Sequence, residues 1–444
     1  MTVVRIGAGA GFAGDRIEPA IDLAERGALD FLVFECLAER TIALAQAARR
    51  RDRDAGYDPL LEARMRAVLL AARRAGTRIV TNMGAANPLA AARKVAEVAR
   101  TLGITGLRVA AVLGDDVLAV VREASLPFTD RAGGTADLAG SIVSANAYLG
   151  AAPIVTALEQ GADVVVTGRV GDPALFLAPL IHAFNWHAQD WSRLGRGTLI
   201  GHLLECAGQL TGGYFADPGY KDVPDLARLG FPLAEVAADG SAVLTKLPGT
   251  GGLLNVATCK EQLLYEVGDP AAYLQPDVTA DFSDVRFEPV GPDRVRVTGG
   301  DGRPAPAQLK AAIGYRDGYI GEGQISYAGP GAPERARLAL AIVAERLALT
   351  GVALREWRGE LIGVDAVDRC GASAGSPPEV RARAVGRTHT RDEAARVAAE
   401  VEALYTNGPA GGGGVTGRVR EVLAIASVMI ARDRIGPRVM MEVA

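Results

Sequence analysis

The stretch ADVVVTGRVGDP, residues 162–173, decides the fold. Its centre, Val164 to Val166, is a β-branched run with no polar alternation, the pattern of a strand covered on both faces. It runs into a turn that holds Gly168, Arg169, Gly171 and Asp172. The same pattern recurs in VVRIGAG (3–9), LDFLVFECL (29–37), TRIVTNMG (77–84) and LRVAAVLGDD (107–116). Amphipathic segments such as IEPAIDLAERG and LAAARKVAEVARTLG separate these runs. Short apolar strands alternating with helices predict an α/β class: a parallel, Rossmann-like sheet with helices on both faces. Ligands of such sheets bind beyond the carboxyl ends of the strands. The turns GAGAGFAGD, ECLAE, TNMGAANP, GDD and TGRVGDP are therefore expected on one edge, lining one site.

The texture changes near residue 240. SAVLTKLPGTGG, VRFEPVGPDRVRVTGG and LKAAIGYRDGYIGEGQISYAG read as hairpins and short strands, and APERARLALAIVAERLALTG as an amphipathic helix. The expectation is an α/β domain over 1–240 and a smaller α+β domain over 241–444. The second carries TNGPAGGGG (406–414), between a helical segment (391–405) and a strand-like one (418–432). Four consecutive glycines suit neither helix nor strand. They are either a flexible connector or a loop whose backbone N–H groups approach an anion. On the second reading Asn407, Gly412 and Gly413 bind substrate.

Bulk properties narrow the function. The 444 residues carry 48 basic and 52 acidic side chains, well mixed, for a formal net charge of −4. No basic stripe points to nucleic acid or to an anionic membrane. The N-terminus lacks a signal-peptide pattern and no apolar run is long enough to cross a bilayer, so a cytoplasmic protein is expected. Cys36, Cys206, Cys259 and Cys370 are widely separated, without a CxxC pair, and there are 4 histidines. Neither a metal site nor a cofactor is expected. The cysteines read as small buried hydrophobes, Cys36 standing apart because it follows a strand.

Individual turns supply candidate residues. GAGAGFAGD resembles a dinucleotide fingerprint, but Phe12 stands where the third glycine belongs, and Glu35 would be the ribose acid. A tight polar turn that binds substrate through Gly11 and Asp15 is the stronger reading. In TNMGAANP, Asn82 and Asn87 serve either turn chemistry or orientation of a carbonyl or carboxylate. Arg169 either pairs with Asp172 or holds an anionic group through its planar fork. In GHLLECAG, His202 and Glu205 at i and i+3 share a helix face, as an acid–base pair or as a satisfied structural pair. Glu39 and Asp172 are the other candidate acid–base groups.

Several of these segments together resemble the AtuA-like family, named for acyclic terpene utilisation. They are GFAGD, FECLAER, VTNMGAANP, VVVTGRVGDPAL, GHLLECAGQLTGG, VATCKEQLLYEVGDP and TNGPAGGGG. Ala13 and Cys36 stand where the family pattern has aromatic residues. The resemblance implies bacterial breakdown of branched terpenoid acids as coenzyme A thioesters. Some members carry or accompany a small further domain, so a small partner subunit is expected, together with a homo-oligomer. The combined expectation is a hydratase, dehydratase or related lyase acting on a carboxylic acid or acyl-CoA thioester, with coenzyme A part of the substrate. The alternative is a non-catalytic acyl-CoA-binding subunit.

Overall fold

The computed structural model describes residues 3–367 and 377–444, so Cys370 lies outside the described residues. The chain falls into two compact units, residues 1–314 with 425–444, and residues 315–424. The division therefore lies well beyond residue 240. Of the first-unit strands that follow 240, Ala242–Lys246, Arg286–Gly291 and Arg294–Thr298 extend the large sheet, while Tyr273–Leu274, Thr279–Asp281 and Asp301–Arg303 form a small three-stranded sheet of their own.

In the first unit, β1 (Val3–Ala10), β2 (Phe31–Phe34), β3 (Arg78–Thr81), β4 (Arg108–Leu113) and β6 (Val164–Thr167) are mutually parallel, in spatial order β1-β2-β3-β6-β4. The intervening β5 (Ile142–Ala147) pairs instead with the strand Gln308–Ala328. All four residues of β2 and of β6 are buried, which is why their sequences show no alternation. Beside β1 lie β7 (Pro232–Ala237) and β8 (Ala242–Lys246), then Arg294–Thr298 and Arg286–Gly291, all joined antiparallel. Arg438–Val443 closes the far edge, antiparallel to β4. The ten-stranded sheet is thus mixed, with a parallel centre.

The strand order also departs from a Rossmann sheet, because it does not reverse at β1. Steps from β1 through β2 and β3 to β4 run in one direction, so right-handed crossovers place their helices on one face. Those are α1 (Glu18–Arg26), α3 (Leu61–Ala75) and α4 (Pro88–Thr101), which pack side by side. Between α1 and α3 the chain forms α2 (Glu39–Arg51), which packs on β5. After α5 (Leu118–Glu123) the chain steps back from β4 to β6. That reversal puts α6 (Ala152–Glu159) on the opposite face, where α7 (Ala174–Phe184) and α8 (Trp191–Glu205) join it.

In the second unit Glu356–Ile362 pairs antiparallel with Glu379–Thr388, which pairs antiparallel with residues 319–328. Glu379–Thr388 alternates strictly, and its buried side packs Val380, Ala382 and Ala384 against the helices Ala332–Leu349 and Arg391–Asn407. Residues 408–412 join the second of these helices to the strand Gly413–Ala431, so the tetraglycine run ends inside that strand. Gly411 and Gly414 adopt φ of 74° and 65°, the left-handed region that glycine enters without strain. At Gly412 a Cβ would come within 2.8 Å of the Ile325 side chain. Turn geometry accounts for Gly411 and Gly414 and close packing for Gly412, whereas a Cβ at Gly413 would meet open space. No described helix is long and apolar enough to cross a membrane.

Candidate active site

The carboxyl ends of β1, β2 and β6 open on one cavity of about 1010 Å³ within the first unit. Gly11 and Asp15 reach it from the turn after β1, Glu35 from the turn after β2, Glu39 from the start of α2, and Arg169 and Asp172 from the turn after β6. Glu205, at the last position of α8, completes the acidic wall. Six of the sequence candidates, Gly11, Asp15, Glu39, Arg169, Asp172 and Glu205, therefore line a single cavity. Gly11 must be glycine, because a Cβ there would stand 2.5 Å from the Cys206 backbone.

Two further candidates stand directly behind the wall. Asn82 donates through Nδ2 to Glu35 Oε1 at 2.9 Å and accepts at Oδ1 from the Cys36 N–H at 2.7 Å. His202 is fully buried, with its Nδ1 2.9 Å from Glu205 Oε1 and its Nε2 3.1 Å from the Leu263 carbonyl. A carbonyl oxygen only accepts, so Nε2 carries a proton. The Nδ1 contact then needs one more proton, shared between imidazole and carboxyl. Glu205 Oε2 is left buried with no hydrogen-bond partner.

The remaining candidates are elsewhere. Asn87 caps α4: its Oδ1 accepts from the Ala90 N–H at 3.4 Å, and its Nδ2 donates to the Arg53 and Ala55 carbonyls at 2.8 and 2.9 Å. Its amide is spent on backbone, as the following Pro88 at the start of the helix indicates. Asn87→Ala is expected to cost about 1 kcal/mol of stability, the usual worth of such a cap. Ligand affinity measured alongside should not change. Asn407, Gly412 and Gly413 belong to the second unit and are not among the cavity residues. Asn407 turns its amide onto the Ala403 carbonyl at 3.0 Å.

Arg169 is the electrostatic centre of the wall. It is buried, donates from Nη1 to the Leu37 carbonyl, and donates from Nη2 to Asp172 Oδ2 at 3.2 Å. Its guanidinium carbon lies 4.1 Å from the centre of the Tyr148 ring. Burial pushes Asp172 upward, and Arg169 opposes that only in part. Burial also works against the charge of Glu39, but Arg169 and the Tyr148 hydroxyl prevail and lower it to about 2. Burial, with the Asp172 charge, raises Glu35 to about 8. Burial raises Glu205 to about 7 against the pull of His202. The cavity thus brings together a carboxylate held in its ionised form and carboxyls whose proton affinity is raised toward neutrality, the range suited to general acid–base chemistry.

Some contributors were not among the sequence candidates for the site. Glu35 directly follows the apolar strand FLVF, so the strand-end rule that selects Arg169 selects it too. Tyr148, placed just after β5, and Lys310 approach Glu39. Arg64 sits on the apolar face of α3 with Leu61, Met65 and Val68. From there its Nη2 donates to the Ala13 and Asp15 carbonyls at 3.0 and 3.2 Å, pinning the turn after β1. A charged residue on a helix's buried stripe is the signal that marks it.

The chain matches the acyclic terpene utilisation family protein AtuA over residues 4–441 and belongs to that family. No curated protein and no solved structure matches it.

Proposed function

We propose that the cavity is the active site of a hydro-lyase, which adds water to, or removes it from, a branched acyl group carried as a coenzyme A thioester or carboxylic acid. The reading rests chiefly on Glu205. Its Oε1 is held by a buried imidazole, its Oε2 is unpartnered at the cavity, and its proton affinity is pushed up to about 7. A carboxyl so placed removes and returns a proton at neutral pH without large cost in either direction.

The rest of the lining supports an acyl substrate. Phe12, Leu37, Leu229, Phe231 and Met429 supply apolar surface for a hydrocarbon chain. The volume, about 1010 Å³, stands at the upper end of ordinary ligand pockets, roughly 300–1,000 Å³, and suits a long or branched chain. Membership in a family named for acyclic terpenes agrees with that shape.

The charge balance favours the thioester over the free acid. Asp15, Glu35, Glu39, Asp172, Glu205 and Glu266 face the cavity against Arg16, Arg169 and Lys310. Arg169 is already engaged by Asp172 and Leu37, and Arg16 donates to the Leu226 and Ala227 carbonyls. A free carboxylate would meet the ionised Glu39 and find both guanidinium groups already holding other partners, whereas a thioester carbonyl enters neutral. The test is a panel of branched 3-hydroxyacyl and 2-enoyl substrates, each as coenzyme A thioester and as free acid, followed by enoyl absorbance. Turnover of thioesters at least ~10-fold above the matching acids is expected, about 1.4 kcal/mol of discrimination. Binding without turnover of any member would instead support an acyl-CoA-binding subunit that needs a separate small partner chain.

A further inference from the structure

Elimination of water needs two groups in opposite protonation states, a base for the carbon-bound proton and an acid for the departing hydroxyl. Glu205 with His202 supplies the first. The second is Glu35, as its bonding pattern indicates. Glu35 Oε1 accepts from the Leu37 N–H at 2.8 Å and from Asn82 Nδ2 at 2.9 Å. Two N–H donors on Oε1 leave no room for a proton there, so the proton of the neutral acid sits on Oε2. Glu35 is a cavity residue, only 9% exposed, fixed at the end of β2 by its own N–H to the Ala10 carbonyl at 3.2 Å. We infer that Glu35 is a second catalytic residue, the proton donor to the leaving hydroxyl, and that Asn82 is its positioning residue.

This inference rests on the lyase reading and completes its proton balance. Glu205 takes the proton from the substrate α-carbon, and the electron pair of that C–H bond forms the Cα=Cβ double bond. The Cβ–O bond breaks with its electron pair on oxygen, and Glu35 Oε2 delivers its proton, so the hydroxyl leaves as water. Hydration runs the same steps backwards, with the Glu35 carboxylate taking a proton from water and Glu205 giving one to the α-carbon.

The surroundings of Glu35 keep it protonated until needed. Asp172 and Arg169 are the charged groups facing it from the turn after β6, and the Cys36 and Cys206 thiols lie close by. Burial and the Asp172 carboxyl raise it to about 8, while the donors Leu37 and Asn82, with Arg169, work in the opposite direction. Asn82 therefore orients Oε2 and keeps the proton from being held too tightly to give up.

The experiment measures dehydration and α-proton exchange separately, with a branched 3-hydroxyacyl-CoA as probe. Glu35→Gln keeps a planar, neutral group of the same size. It is expected to lower dehydration ~10²–10⁴-fold, while exchange of the substrate α-proton with deuterated water persists. In Asn82→Ala the alkaline limb of the dehydration profile should move to higher pH, because a donor that favours the ionised carboxyl is gone; a purely structural role would not move it. Dehydration by Glu35→Gln within a few-fold of wild type would overturn the inference. So would an unmoved alkaline limb in Asn82→Ala, which decides the matter even if the Gln variant fails to fold. Failure of the underlying lyase reading looks different: the wild-type protein itself would neither exchange nor dehydrate.

Discussion

Arg169→Met is expected to destabilise the protein by about 3–5 kcal/mol, the cost of removing one partner from a buried charge cluster. The substitution keeps much of the side chain's length and apolar stem, so it creates no large cavity. It removes the donors to the Leu37 carbonyl and to Asp172 Oδ2. It also removes the positive charge that holds Glu39 down and restrains Asp172. The sign of the pH dependence follows. Asp172, already raised by burial, would rise further, so its ionised form becomes the costly one. The loss should be largest at alkaline pH and shrink as the pH falls through that raised value. Chemical denaturation at pH 6 and pH 8 measures both effects. A loss below about 1 kcal/mol at pH 8 would mean that solvent, not Arg169, neutralises this wall.

The largest effect on activity is expected from Glu205→Gln. The amide keeps a contact with His202 but can neither take nor return a proton. Turnover should fall ~10²–10⁴-fold, the usual contribution of a positioned base. Binding of the acyl-CoA should change only a few-fold, because Glu205 is not a clamp. In the wild-type protein the reaction should rise with pH through about 7 as Glu205 ionises, and fall again through about 8 as Glu35 loses its proton. A narrow bell between two raised carboxyl values is the kinetic mark of such a pair.

Much of this arrangement was legible in the sequence because parallel strands order their own ends. Once FLVF and VVVT read as strands buried on both faces, the residues that follow them must share an edge. Gly11, Asp15, Glu39 and Arg169 do so. The role of Arg169 was less legible. Whether a guanidinium clamps a ligand or pairs with a neighbour depends on depth, and here it is 2% exposed. The unit boundary was not legible either. Hairpins such as Arg286–Gly291 with Arg294–Thr298 read alike whether they found a sheet or extend one. The deciding contact, Arg294–Val297 on β8, carries no local signal. The tetraglycine run is ambiguous for a related reason: left-handed φ at Gly411 and Gly414 and tight packing at Gly412 ask for the same residue as an anion cradle. The sheet's strand order, likewise, is set by which crossover steps backwards, and that is a property of packing.

One measurement bears most directly on the claim that Glu205 and His202 form a working base at the cavity wall. It is exchange of the α-proton of a bound branched acyl-CoA with deuterated water, followed by NMR. Exchange is expected in the wild-type protein, and its loss, at least ~10²-fold, in Glu205→Gln with the ligand still bound. Ligand binding without exchange in the wild-type protein, or undiminished exchange in Glu205→Gln, would contradict it.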